Sequence, residues 1–234
     1  MKYYYIHHSS IHFKTQAMKL IILSSTFIGI LLSSCSDNKE KTAEGVTKET
    51  TEVTNTTEHQ AYFIDVHDLE PGKVTFEDVD DAHKKDLATQ DKYGVKFHKF
   101  WVDEQKGKVY CLSQAKDAEA VKTTHSEAHG LIPATVYQVS GGDEAIATGN
   151  KQLFIDVHEM GAGKVAVKDV ADAHEKDLGA QSKHGVNFIN YWVDEKKGVI
   201  MCLSEASDSN AVKQTHKEAH GLMPAYVMKV KQGQ

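Results

Sequence analysis

Eight histidines of this chain fall into four pairs 91 residues apart: His67 with His158, His83 with His174, His125 with His216, and His129 with His220. Imidazole suits nickel, zinc and copper alike, and it titrates near neutral pH. On a helix, His125 and His129 would stand at i and i+4 with side chains about 6 Å apart, close enough to share one ion. His216 and His220 repeat that spacing. Asp86, three residues after His83, could add an oxygen donor or orient a ring from behind, and Asp177 is its twin. All eight histidines are therefore candidate metal ligands.

The spacing differs from the H-E-x-x-H zinc helix, because the sequence is His125-Ser126-Glu127-Ala128-His129. Glu127 is third rather than second and points away from where a protease base would stand, so no catalytic residue is assigned. A plain structural reading competes: a lone His pair is usually solvated, and a His on an apolar helix face is usually a core residue. Repetition preserves core residues as well as ligands, so it counts for both readings. Cys111 and Cys202, one per repeat and mid-strand, read as buried inert thiols rather than a disulfide framework. Trp101 and Trp192 read as packing anchors.

The pairing is part of a whole duplication. Phe63-Ile64-Asp65-Val66-His67 recurs as Phe154-Ile155-Asp156-Val157-His158, and 46 of the 78 positions from Tyr62–Val139 are identical in Leu153–Val230. Within a module, residues 62–67 form an apolar first strand. Residues 75–92 place Val79, Ala82, His83 and Leu87 on one helical face behind Thr75 as cap. Val95–Val102 and Val109–Ala115 read as strands two and three. Asp117 caps a helix with Val121, Thr124, His125 and Ala128 inward, Gly130 ends it, and Ile132–Val139 returns as strand four.

That order, β-α-β-β-α-β, is the ferredoxin-like arrangement, with both helices on one sheet face and the other face bare. The bare face is expected to carry Phe63 and Asp65 and to need a partner. The second module supplies one, so the expected fold is α+β: two modules packed sheet to sheet as a pseudo-dimer. The topology also gathers all four histidines of a module in the half where the first strand ends.

The expected domains are a signal at 1–35, a tether at 36–60, modules at 61–140 and 152–231, and a mobile Gly/Ala linker at 141–151. Lys14 and Lys19 precede an apolar run, Leu20 to Leu32, too short to span a bilayer, and it ends Leu32-Ser33-Ser34-Cys35. That ending resembles the bacterial lipobox, which makes Cys35 the lipid attachment point and Met18 an alternative start. The expected place is the bacterial cell envelope, lipid-anchored, periplasmic or surface-exposed. The net charge of −6, with no long basic stretch, argues against nucleic acid. The expected chain is a monomer that touches the membrane only through its lipid, with further oligomerisation open. His7, His8, His12, His59, His98 and His184 have no histidine twin and fall outside the candidate set.

The combination His67…Gly72, His83-x-x-Asp86-Leu87, Gly94-Val95, Trp101-Val102-Asp103-Glu104, Gly107, Cys111-Leu112, Ala115 and His125-x-x-x-His129-Gly130 resembles a family of small bacterial ferredoxin-like domains that includes a nickel-binding protein. The resemblance covers both modules. It implies sheet-to-sheet pairing and a divalent metal held by histidines, nickel ahead of zinc or copper. Family members are usually single modules that dimerise, whereas here two are fused. Two other readings stay open. One is a dimeric α+β-barrel enzyme, such as a small monooxygenase or isomerase, with a pocket lined by Asp65 or His67. The other is a metal-free binding or scaffold module.

Overall fold

The computed structural model describes residues 60–142 and 144–234. The signal, its Cys35 and the tether before residue 60 lie outside the described residues. Module one runs β1 (Ala61–Asp68), α1 (Phe76–Thr89), β2 (Lys96–Asp103), β3 (Lys108–Ala115), α2 (Ala118–Ala128) and β4 (Thr135–Gly141). Module two repeats this as β5 (Gln152–Glu159), α3 (Val167–Ala180), β6 (Asn187–Asp194), β7 (Val199–Ala206), α4 (Ser209–Ala219) and β8 (Tyr226–Gly233).

The local signals explain most boundaries. Thr75 and Asp78 form a reciprocal capping box: Asp78 N–H donates to Thr75 Oγ1 at 3.2 Å, and Thr75 N–H donates to the Asp78 carboxylate at 3.0 Å. The expected helix to residue 92 ends as α1 plus a 3-10 turn, Gln90–Tyr93, closed by Gly94 at φ +65°. β4 begins at Thr135 rather than Ile132. Pro133 has no N–H for the ladder, and Ile132 stays largely exposed.

Each module orders its strands β4-β1-β3-β2 or β8-β5-β7-β6, all antiparallel. The two sheets face each other and also join at their edges. β2 pairs with β8, and β4 pairs with β6, so the eight strands close into one barrel. Closure removes the free edges that two separate sheets would leave.

The barrel interior is a packed core drawn from both modules, including Ile64, Val66, Trp101, Tyr110, Ile155, Val157, Trp192, Met201 and Met228. Trp101 and Trp192 meet there with ring centroids 5.2 Å apart, and Trp101 Nε1–H donates to Gln232 Oε1 at 2.8 Å. Each such buried apolar side chain contributes roughly 1.5–3 kcal/mol.

Two expectations need correction. Phe63 and Asp65 do not lie on the bare face; Phe63 packs with Val79 and Val121 beneath the helices, while Ile64 and Val66 face the barrel interior. The strand's period of two offered either phase, and the face that packs against α1 and α2 fixed it. Leu87, expected inward, is 39% exposed, and Asp86 takes the buried position with Val79 and His83. The spacing 79, 83, 86 follows the helix closely, and a carboxylate goes inside because it finds histidine partners there.

The linker is tied rather than loose. Gly142 N–H and Ala145 N–H donate to the carbonyls of Tyr191 (3.2 Å) and Ile189 (2.7 Å). The buried Glu205 carboxylate accepts from Thr148 N–H and Oγ1, from Gly149 N–H, and from Asn187 Nδ2.

Candidate metal centres

The sheet's pleat and the helix pair bring residues distant in sequence to one place. Asp65 pairs with Cys111 across β1 and β3, so both side chains project toward the helices, and His67 follows on the same face two residues later. α2 lays His125 over them and carries His129 one turn on, at its C-terminal cap. α1 brings in Asp86 from the other side. Module two reproduces this with Asp156, His158, Asp177, Cys202, His216 and His220.

His125 is the hub. Its Nδ1 lies 3.0 Å from Asp86 Oδ1, and its Nε2 lies 3.2 Å from Asp65 Oδ1. His67 Nε2 approaches the same Asp65 oxygen at 3.1 Å. Asp65 is fully buried and His125 is 1% exposed. The contacts at Asp65 are close but lack the direction of a hydrogen bond, so both Asp65 oxygens and His125 Nε2 have no hydrogen-bond partner. In module two, His216 Nε2 does donate to Asp156 Oδ1 at 3.2 Å, while Asp156 Oδ2 is left unpartnered.

The partners fix the tautomers. Leu131 N–H donates to His129 Nδ1 at 3.2 Å, so the proton of a neutral His129 sits on Nε2, which lies 3.2 Å from Asp86 Oδ2. Asp86 therefore receives His129 on one oxygen and His125 Nδ1–H on the other. Leu222, His220, Asp177 and His216 repeat the chain at 3.1, 3.2 and 3.0 Å.

The electrostatics agree. Burial opposes ionisation of Asp65, but the His125 and His67 rings hold its carboxyl down at about 2. Burial likewise opposes a charge on His125, yet Asp65 and Asp86 raise its pKa to about 10. Without metal, the centre is an imidazolium clamped between two carboxylates. Burial pushes the Cys111 thiol well up, with Asp65 adding to it.

Two donor groups around His125 have atoms mutually within 4.8 Å: Asp65, His67, Cys111 and His125, and separately Asp86, His125 and His129. His83 and His174 belong to neither. The His83 ring packs on Phe97 and Phe100, with both nitrogens buried and unpartnered. Asp65 and Asp156 stand outside the eight candidate ligands read from the sequence; their repetition beside a repeated His is the available signal, and the strand phase expected from the sequence faces them away from the helices. The expected enzyme pocket between the sheets coincides with the packed interior, whereas Asp65 and His67 face the helices. Glu127 lies at the surface, bonded to Lys92 at 2.6 Å and to the Tyr93 hydroxyl.

The model of the family described as nickel responsive protein SCO4226-like matches residues 63–139 and 154–230. The chain belongs to that family, in two tandem copies. SCO4226 from Streptomyces coelicolor A3(2) is 36% identical over 33% of this chain and 94% of its own, with a TM-score of 0.32. Chlorite dismutase from Candidatus Nitrospira defluvii, solved with imidazole, is 6% identical over 74% of this chain and 90% of its own, with a TM-score of 0.42. No curated protein matches the chain.

Proposed function

We propose that this chain, as a doubled member of the nickel-responsive family, binds one divalent transition-metal ion in each module, nickel first among them. The ligands are Asp65, His67, Cys111 and His125 in module one, and Asp156, His158, Cys202 and His216 in module two. The observation that carries this is the set of buried donors that converge on one point without hydrogen-bonding each other: Asp65 Oδ1 and Oδ2 and His125 Nε2. Buried polar atoms are rarely left unsatisfied. The contacts of 3.1 and 3.2 Å between them are also close to the ligand-to-ligand edges of roughly 3.0–3.4 Å expected around an ion bound at about 2.1 Å.

Asp86 and His129 serve this site from behind. Asp86 accepts the Nδ1 proton of His125, which leaves Nε2 free to coordinate, and His129 holds Asp86 in place. His129 itself is a poor ligand here, because coordination through Nε2 would move its proton to Nδ1, against the Leu131 N–H. A bound divalent ion would displace the Nε2 proton of His125 and the thiol proton of Cys111, both released to solvent, and would offset the charge of the Asp65 carboxylate. Imidazole, carboxylate and thiolate together suit borderline cations.

Isothermal titration and native mass spectrometry of the purified chain test the reading. Two nickel ions per chain are expected, one after Asp65→Ala or His125→Ala, and none when the Asp156→Ala or His216→Ala counterpart is added. Nickel, zinc and copper all failing to bind at micromolar concentration would overturn it. So would full stoichiometry in the double variants.

We further propose that the chain is a lipid-anchored bacterial envelope protein, on the strength of the Leu20–Leu32 run and Cys35. Cys35→Ser should release it from the membrane fraction; an unchanged distribution would refute the anchor.

A further inference from the structure

Each module encloses a cavity between its helices and its sheet, about 70 Å³ in module one and about 110 Å³ in module two. Val79, Ala82 and Val109 form the apolar wall in module one, with Leu131 at 48% exposure marking the mouth. Leu222 occupies the matching place in module two. His83 stands in the wall of the first cavity and His174 in that of the second. His83 is only 3% exposed, and neither of its ring nitrogens has a hydrogen-bond partner; His174 Nδ1 is unpartnered as well. These rings lie outside both donor groups around His125 and His216, so the metal reading does not account for them.

A buried imidazole without partners calls for a hydrogen-bonding group that the chain itself does not supply. Burial also lowers the pKa of His83, which favours the neutral ring, able to donate from one nitrogen and accept at the other. The exposed surface of each cavity is mostly carbon, although His67, Asp86, Cys111 and His125 and their twins also border it, so the rest of the occupant is apolar. At roughly 10–15 Å³ per water-sized position, the two volumes hold on the order of five to ten non-hydrogen atoms.

We propose that each cavity is a binding site for a small neutral aliphatic alcohol, its hydroxyl on His83 or His174 and its chain along the apolar wall. The cavities also border the proposed metal ligands His67, Cys111 and His125 and their twins, so the test uses the full chain kept metal-free with a chelator. Titration with 1-butanol, 1-pentanol and 1-hexanol should show two binding events. Affinity should rise about fourfold per methylene until the cavity is full. The side-chain ¹⁵N resonances of His83 and His174 should shift with binding.

His83→Phe should lower alcohol affinity in module one by roughly threefold to tenfold while leaving the affinity for pentane unchanged. Ala82→Phe and Ala173→Phe, which fill the cavities from α1 and α3, should each remove one event. Three results would overturn the proposal: ring resonances that no alcohol moves, as expected if water alone occupies the cavity; affinity independent of chain length; or binding that survives both cavity-filling changes. Nickel stoichiometry is read separately, on the unaltered chain without alcohol, so that failure of the metal reading and failure of the alcohol proposal are distinguished.

Discussion

The two modules hold the same buried centre but are finished differently around it. The two carboxylate contacts of His125 recur at His216 with matching distances, although no ring nitrogen of His216 lies within 4.8 Å of all three of Asp156, His158 and Cys202. The surroundings have drifted. Thr75, which caps α1, is Ala166 at the start of α3, and only the Asp169 half of the box survives there, at 3.3 Å. Gln114, which meets His98 at 3.1 Å, becomes Glu205, which gathers the linker. Leu69 becomes Met160 and Val109 becomes Ile200 in the cavity wall. The difference teaches that the charged residues of the centre are kept in both copies, whereas the caps and edges differ with where each module sits in the chain.

The largest test of that contrast removes the inner carboxylate from each centre in turn. Asp65→Ala leaves a buried imidazolium with one counter-charge fewer and should cost about 3–5 kcal/mol in urea unfolding of the metal-free chain. Asp156→Ala should cost a similar amount. A much smaller loss in one module would break the equivalence.

Acidity probes both centres together. The His125 and His216 pKa values are raised to about 10 in the fold, from an ordinary 6.5, by their flanking aspartates against burial. Their stabilisation is therefore complete below 6.5 and fades as pH climbs toward 10. The depressed carboxyls of Asp65 and Asp156 contribute above their ordinary value of 3.8 and are lost as acid protonates them. The metal-free melting temperature should peak between about pH 4 and 6.5 and fall on the alkaline side. Nickel, which replaces a proton on each hub histidine, should restore stability most strongly at pH 8–9 and release protons in an unbuffered titration.

Smaller effects should separate the modules. Glu205→Ala strands the donors of Thr148, Gly149 and Asn187 and should cost about 1–3 kcal/mol, against less than about 1 kcal/mol for Gln114→Ala. At the helix starts, Thr75→Ala should cost about 1 kcal/mol, and Ala166→Thr should gain about 0.5–1 kcal/mol. Ala166 already has the extended backbone of a cap, φ −111° and ψ 151°. Thermal melts of the two variants, read side by side, check the sign of each.

The sequence by itself determined the duplication, the βαββαβ order, the caps at Thr75 and Asp117, and the placing of His67, His125 and His129 at one end of a module. These follow from local rules: a fixed repeat, a period of 3.6 or 2, and the residues that start and stop helices. Three features needed the tertiary structure. The phase of β1, and with it the inward turn of Asp65, depended on which strand face met α1 and α2. The separation of His83 from the His125 cluster depended on where α1 lies against the sheet, with Phe97 and Phe100 receiving its ring. The joining of two sheets into one barrel depended on β2 reaching β8, 131 residues apart at Trp101 and Gln232. A donor set built from β1, α1, β3 and α2 exists only where the packed chain brings them together. Pairing between distant strands leaves no periodic trace in either of them.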